Sequence, residues 1–169
     1  MFLFFFYLFE AESASATSFV VSSSASIKKE IEEENQENSN LKIVKLTFYL
    51  KKHNSPLENY AGVIIRKAEK YNLDWRLVTA ISGVESTFGK RIPFGSYNAY
   101  GWANGDYNFK SWEDSIEIVS KTLREKYIDK GADNLQKIAR IYAPPSVTWA
   151  GNVNFFINQI DGKPIVFEN

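Results

Sequence analysis

Apolar side chains recur at helical spacing over most of the chain after Asn40, and this pattern most constrains the fold. They lie three and four residues apart, which places them on one face of each predicted helix. Ser55-Pro56-Leu57-Glu58 has the form of a capping box with proline at the first helical position, and Gly89 and Gly131 follow two of the apolar stripes. The sequence therefore predicts a mainly α fold with helices at about 57–71, 75–86, 111–131, 134–142 and 148–160. Residues 41–50 fit a short amphipathic helix or a strand.

The length and composition favour one globular domain. The chain has 169 residues, of which 44% are apolar and 15% aromatic, enough for a substantial core. Residues 41–169 contain 18 Lys and Arg against 13 Asp and Glu, a net charge of +5, although the whole chain is neutral. This mild excess suits an anionic polymer such as a cell wall, and ordinary scatter of surface charge explains it equally well. Because no block of Lys and Arg occurs, we expect no nucleic-acid partner, and we expect a monomer.

Several kinds of chemistry are excluded by composition. The chain has no cysteine, so disulfides, thiolate catalysis and cysteine-ligated metals are impossible. His53 is the only histidine and lies in a polar connection, which favours a solvated loop residue over a member of a catalytic triad. Metal sites built on several histidines are likewise excluded, and we expect no metal and no cofactor.

The N-terminal 16 residues have the form of a signal peptide. Phe2 to Phe9 is an unbroken apolar octet, and Ala14-Ser15-Ala16 has the small-x-small pattern of a cleavage site, although no Lys or Arg precedes the octet. The octet is too short for a membrane span, which takes roughly 20 residues, and an uncleaved anchor is the alternative. We expect a secreted, periplasmic or cell-wall-associated protein. Residues 17–40 are Ser-rich and then acidic, which predicts a disordered or loosely helical tether before a catalytic domain at 41–169.

One carboxylate stands out within the helical region. Glu85 lies near the end of the predicted helix 75–86, with Val78, Ile81 and Phe88 as neighbours on the same face. A carboxyl group there loses solvation, which should raise its pKa. Its place near a helix C-terminus also disfavours a negative charge.

An aromatic, glycine-rich segment follows Glu85 in the sequence. Asn104-Gly105 could form a tight turn, so residues 89–110 are predicted to be a short hairpin or an Ω-like loop. Tyr97, Tyr100, Trp102 and Tyr107 could stack on sugars or fill the core, and Trp102, next to a glycine, is the best platform. The tryptophans at 75, 112 and 149 begin predicted helices and are interpreted as packing residues.

Three segments together resemble lysozyme-like peptidoglycan-cleaving domains over most of residues 55–160. They are Tyr71 to Val78, Gly83-Val84-Glu85-Ser86-Thr87-Phe88-Gly89-Lys90, and Ser96-Tyr97-Asn98-Ala99-Tyr100-Gly101-Trp102, with Tyr142-Ala143 downstream. The chain looks closest to soluble lytic transglycosylase and goose-type lysozyme domains, and is also similar to bacterial endo-β-N-acetylglucosaminidase domains. The resemblance implies a lysozyme-like fold and a peptidoglycan substrate.

The resemblance also implies roles for individual residues. Glu85 would be the general acid that protonates the leaving glycosidic oxygen, and Ser86 would line the site beside it. Asn98, Tyr100, Gly101 and Trp102 would form the floor that holds the sugar, and Tyr142 would face the acid. The chain departs from the transglycosylase pattern in having Gly101-Trp102-Ala103-Asn104 where Gly-Leu-Met-Gln is expected, which leaves the cleaved bond open.

Glycoside cleavage needs a second group to balance the developing charge on the sugar. Asp106 on the aromatic loop is a candidate, although an acidic residue after Asn-Gly is also common in turns. Asp114 and Glu113 are better explained as first-turn residues that complement a helix dipole. The remaining helper is the acetamido group of the substrate, as in transglycosylases. A different class of function, a catalytically silent wall-binding module, remains an alternative.

Overall fold

The computed structural model describes residues 9–161, with side chains at Ser24 and from residue 26 onward. This part is mainly helical and contains no β-strand. Six α-helices follow one another: α1 Phe9–Lys52, α2 Ala61–Lys70, α3 Leu77–Ser86, α4 Trp112–Thr122, α5 Leu135–Tyr142 and α6 Trp149–Asp161. The predicted mainly α fold is confirmed. Among residues 9–161, no helix is both long enough and apolar enough to cross a membrane.

Residues 1–40 and 41–169 form two separate units. In the first unit the backbone from Phe9 is helical, and residues 17–40 of the predicted tether belong to this helix. Lys28 and Lys29 form ion pairs one turn along this helix with Glu32 and Glu33, and all four side chains are exposed. Most of the apolar octet Phe2 to Phe9, and the side chains of the predicted signal peptide 1–16, lie outside the described residues.

In the second unit the end of α1 contributes to the core. Residues 41–50 are helical, so the helix and not the strand is the correct alternative. Leu46 and Leu50 are fully buried and Tyr49 nearly so, at the spacing of one helix face. The ring of Tyr49 packs edge-on against Phe88, with centroids 5.6 Å apart. Lys45, in the same segment, forms an ion pair of 2.6 Å with Asp161 at the end of α6.

Helix α3 lies at the centre of the second unit. Most of its side chains are buried, because it packs against α6 and also contacts α2 and α4. The surrounding helices supply fully buried residues, among them Ile64, Ile116, Ile138 and Ile157. A residue on α3 can therefore reach solvent only where its neighbours leave a gap.

Local caps fix two helix starts as predicted. Ser111 Oγ accepts from the Asp114 backbone N–H at 3.2 Å, and Asp114 Oδ2 accepts from the Lys110 N–H at 3.0 Å. Asn134 Oδ1 accepts from the Lys137 N–H at 3.0 Å. Asp114 therefore serves as a helix cap.

Two boundary predictions need correction. The helix predicted at 111–131 is α4 followed by a π-helical turn, Leu123–Tyr127, and a 3-10 turn, Ile128–Lys130, and it ends at Gly131 as expected. Ser55 does not cap Glu58 with its side chain: its hydroxyl accepts from the Leu57 N–H and donates to the Phe88 carbonyl at 2.7 Å. The reason is tertiary, because the chain after α3 passes beside Ser55.

Candidate active site

Glu85 lies in the last turn of α3, at one of the few positions of this helix that are not fully buried. The helix stops just after it, because Thr87, Phe88 and Gly89 all have positive φ angles, of 55°, 60° and 81°. The Phe88 N–H bonds back to the Ser82 carbonyl at 2.9 Å, which closes the helix end. This abrupt stop leaves the Glu85 side chain at the edge of the core.

The main partner of Glu85 comes from another helix. The indole Nε1–H of Trp149, at the start of α6, donates to Glu85 Oε1 at 2.6 Å. Burial raises the pKa of Glu85 above its ordinary value, and the hydrogen bond from Trp149 opposes this rise. The direction agrees with the expectation from its apolar neighbours. A carboxyl group in this setting is suited to hold a proton and release it to a bound ligand.

The second oxygen of Glu85 lies against the aromatic loop. A Cβ atom added to Gly101 would be 2.6 Å from Glu85 Oε2, closer than real Cβ contacts come. Gly101 also has a φ of 68°, in the left-handed region. Glycine is therefore required here both by the backbone and by the carboxyl group that it faces.

Tyr142, at the end of α5, joins the same group of side chains. Its ring stacks on Trp149 with centroids 5.0 Å apart and an angle of 26°, and its hydroxyl donates to the Tyr100 carbonyl at 2.7 Å. Burial raises the pKa of Tyr142 well above its ordinary value, and the negative charge of Glu85 raises it further. The phenol is therefore neutral at ordinary pH and close enough to Glu85 for the charge of the carboxylate to act on it.

A groove of about 340 Å³ adjoins this cluster. It is lined by the loop residues Gly101, Trp102 and Asn104 and by Tyr127 and Tyr142 from the helical part. Glu85 does not line the groove itself but lies against Gly101, which does. The arrangement thus places an acid beside a partly aromatic, solvent-open groove, which is suitable for a sugar.

Ser86 and Asn98 hold the loop and are themselves buried, each only 3% exposed. Ser86 Oγ lies 2.8 Å from the Ala99 carbonyl and accepts from the Gly89 N–H at 2.8 Å. The Asn98 amide donates to the carbonyls of Trp102 and Tyr107 and accepts from the Trp102 N–H. These side chains therefore hold the loop that forms one wall of the groove.

The tight turn predicted at Asn104-Gly105 is present, but no strand flanks it among the described residues. Both residues have positive φ angles, of 56° and 95°, and the Asp106 N–H bonds to the Ala103 carbonyl at 3.0 Å. The Asn98 side chain bonds to backbone groups on both sides of this turn, so of the two predicted forms the loop is the one observed. The Phe109 N–H bonds to the Ser96 carbonyl at 2.9 Å and closes the segment at its base, in the manner of an Ω-like loop.

The remaining predicted residues differ in exposure. Tyr100 is fully buried, and its backbone carbonyl rather than its ring takes part in the site. Tyr97 is half-buried against Trp112, with centroids 5.4 Å apart, whereas Trp102 borders the groove and contacts Tyr107 and Phe109. Asp106 is exposed at the end of the 3-10 turn. Of the aromatic candidates, Trp102 is the one best placed to meet a ligand.

Trp149 packs in the core, as predicted, and has a second role that the sequence did not indicate. It supplies the hydrogen bond to Glu85; a buried indole N–H needs an acceptor, but nothing local indicates which one. His53 lies in the turn after α1, as predicted, but it is half-buried: its ring lies 4.6 Å from those of Tyr49 and Phe88. Burial lowers the pKa of His53, and Lys90 and Lys52 lower it further.

In comparisons with known proteins, no family model and no curated protein matches this chain. Within residues 9–161, no group of three or more His, Cys, Asp or Glu side chains is placed to hold a metal ion.

Proposed function

We propose that this chain is an exported enzyme that cleaves the glycan strands of peptidoglycan, with Glu85 as general acid and base. The bonds cut are the β-1,4 linkages between N-acetylmuramic acid and N-acetylglucosamine. The observation that carries the proposal is the Glu85 carboxyl group, whose pKa is raised by burial and which lies against the glycine of an aromatic-walled groove. The lysozyme-like motifs in the sequence supply the substrate class.

The chemistry proceeds in two proton transfers. Protonated Glu85 gives its proton to the glycosidic oxygen as the bond to the sugar carbon breaks, and the sugar acquires oxocarbenium character. The acetamido group of the same sugar shares that positive charge. Glu85, now ionised, then accepts the proton of the attacking hydroxyl, which belongs either to water or to the muramyl residue itself.

Two further features support an extended, anionic substrate. The unit from residue 41 has a net charge of +5, and the groove is open to solvent along the loop. Trp102 on its wall can stack on a sugar face.

The loop sequence gives a second candidate. Gly101-Trp102-Ala103-Asn104 replaces the transglycosylase pattern Gly-Leu-Met-Gln, and this departure leaves the cleaved bond open. The alternative is an endo-β-N-acetylglucosaminidase, which would cut the other bond of the disaccharide. Both candidates use Glu85 in the same role.

Mass spectrometry of digested cell wall separates the candidates. Anhydro-muramyl ends indicate transglycosylation, reducing muramyl ends indicate hydrolysis of the lysozyme type, and reducing glucosamine ends indicate the glucosaminidase. Glu85→Gln should abolish digestion and leave wall binding intact. Wild-type protein that binds the wall and never digests it would instead indicate a silent binding module.

A further inference from the structure

The two oxygens of Glu85 face different partners. Oε1 accepts a hydrogen bond from the Trp149 indole N–H at 2.6 Å. Oε2 faces the backbone of Gly101, and Gly101 lines the groove. The two oxygens of an isolated carboxyl group are chemically equivalent. Here the surroundings make them distinct.

An indole N–H can only donate a hydrogen bond. A protonated carboxyl group has one carbonyl oxygen, which accepts well, and one hydroxyl oxygen, which carries the proton. The bond from Trp149 therefore favours Oε1 as the carbonyl oxygen. The proton is then carried by Oε2, the oxygen on the side of Gly101.

Trp149 is itself rigidly held. It is only 3% exposed, its backbone N–H bonds to Ser146 Oγ at 3.2 Å, and its ring stacks on Tyr142. Tyr142 in turn bonds to the Tyr100 carbonyl, directly before Gly101 in the chain. The indole and the loop backbone on the two sides of Glu85 are thus connected through one tyrosine.

We propose that Trp149 is a positioning residue that assigns the proton of Glu85 to Oε2 and aims it toward the groove. This inference rests on the proposed role of Glu85 as the acid. Trp149 contacts the carboxyl group and does not line the groove, so it acts through Glu85. It gives the α6 helix a role in the reaction that its apolar sequence does not suggest.

Trp149→Phe removes the N–H and keeps an aromatic ring for Tyr142. Because the indole hydrogen bond lowers the pKa of Glu85, its loss should raise that pKa, measured by NMR titration of ¹³C-labelled glutamate. The basic limb of the pH–rate profile should move upward with it. We expect kcat to fall by about 10- to 100-fold with little change in KM, because a misdirected proton weakens acid catalysis.

Trp75→Phe is the matched control. Trp75 precedes α3 and lies beside Lys42, Glu69 and Asn72. Its replacement should leave the pKa of Glu85 and the pH profile unchanged. An equal shift in both variants would indicate a general loss of packing and would overturn the positioning role.

A second measurement separates this inference from the proposed function. In the wild-type protein the Trp149 indole ¹⁵N–H resonance should shift as Glu85 ionises, and this titration should disappear in Glu85→Gln. An indole that titrates in a protein without glycan-cleaving activity would support the hydrogen bond and refute the enzyme. An active enzyme whose indole does not respond to Glu85 would overturn the positioning role, even if Trp149→Phe fails to fold.

Discussion

Glu85 and Glu117 are glutamates on neighbouring helices whose surroundings drive their pKa values in opposite directions. Glu85 meets a neutral indole donor and a glycine backbone, and burial raises its pKa. For Glu117 on α4, burial also acts to raise the pKa, but hydrogen bonds from Lys67, Lys70 and Tyr71 outweigh it and lower the pKa to about 2.

The difference shows that partial burial does not by itself decide the ionisation of a carboxyl group. Two ammonium groups beside Glu117 compensate the lost solvation with opposite charge, and Lys70 lies 2.6 Å from Oε1. No such cation contacts Glu85 among the residues that the structure describes. The arrangement at Glu117 stabilises the fold at neutral pH, whereas the arrangement at Glu85 keeps a proton available.

The largest effect should come from exchanging each glutamate for glutamine. Glu85→Gln cannot carry the acidic proton, so we expect the rate of wall digestion to fall by about 10²–10⁴-fold with the circular dichroism spectrum unchanged. Glu117→Gln should retain most of the digestion rate, because it lies outside the groove. Equal losses in the two variants would contradict the assignment of Glu85 as the acid.

Crowding the second oxygen of Glu85 should have the next largest effect. Gly101→Ala places a methyl group 2.6 Å from Oε2 and also strains a left-handed backbone, which costs about 1–2 kcal/mol. Displacement of the carboxyl group should lower activity on the order of 100-fold. Urea unfolding and a wall-digestion assay measure the two losses.

Gly105→Ala is the matched control for this crowding. Gly105 has a φ of 95° in the same loop, and nothing lies within 4 Å of its added Cβ. It should show the backbone strain alone and keep more activity than Gly101→Ala. If both alanine variants lose the same activity, strain in the loop explains the result and the contact with Glu85 does not.

Replacing Glu117, which bonds to Lys67, Lys70 and Tyr71, should have a smaller, pH-dependent effect on stability. Because the folded-state pKa of Glu117, about 2, lies below its ordinary value of 4.5, its stabilisation is fully present above pH 4.5 and is lost as the pH falls toward 2. We expect Glu117→Gln to cost about 1 kcal/mol at pH 7, since partial exposure and solvent screening reduce the gain. Urea unfolding at pH 7 and at pH 2.5 should show this difference shrinking; a constant difference would exclude the charge as its cause.

The smallest effect should be on how stability changes with pH in the Glu85 variant, in the direction opposite to that of Glu117. The pKa of Glu85 is raised on folding, so the folded protein binds more protons, and the contribution of Glu85 to stability declines as pH rises above 4.5. Glu85→Gln does not titrate, so it should become relatively more stable than the wild type over the same window. Thermal unfolding at several pH values measures this, and a trend in the other direction would show that the carboxylate is stabilised by a partner.

Local sequence signals predicted the helices and the turn at Asn104-Gly105, but not the contacts that hold the loop in place. The caps at Ser111 and Asn134 depend on groups three residues away, so they can be recognised without the fold. The turn at Asn104-Gly105 was recognisable because it needs two residues that tolerate positive φ angles. The bonds from Asn98 to the carbonyls of Trp102 and Tyr107, which hold the rest of the loop, have no local pattern that reveals them. The same is true of the bond between the Ser86 hydroxyl and the Ala99 carbonyl, which connects the end of α3 to the loop.

The sequence by itself determined the mainly helical fold and placed Glu85 in apolar surroundings at a helix end, because periodicity and capping act over a few residues. Only the tertiary structure decided what Glu85 contacts. Trp149 is 64 residues away in the chain and reaches Oε1 because α6 packs on α3, while Gly101 meets Oε2 because the loop folds back over the end of that helix. The pKa of a carboxyl group depends on such distant donors and on exclusion of water, and both are properties of the packed chain.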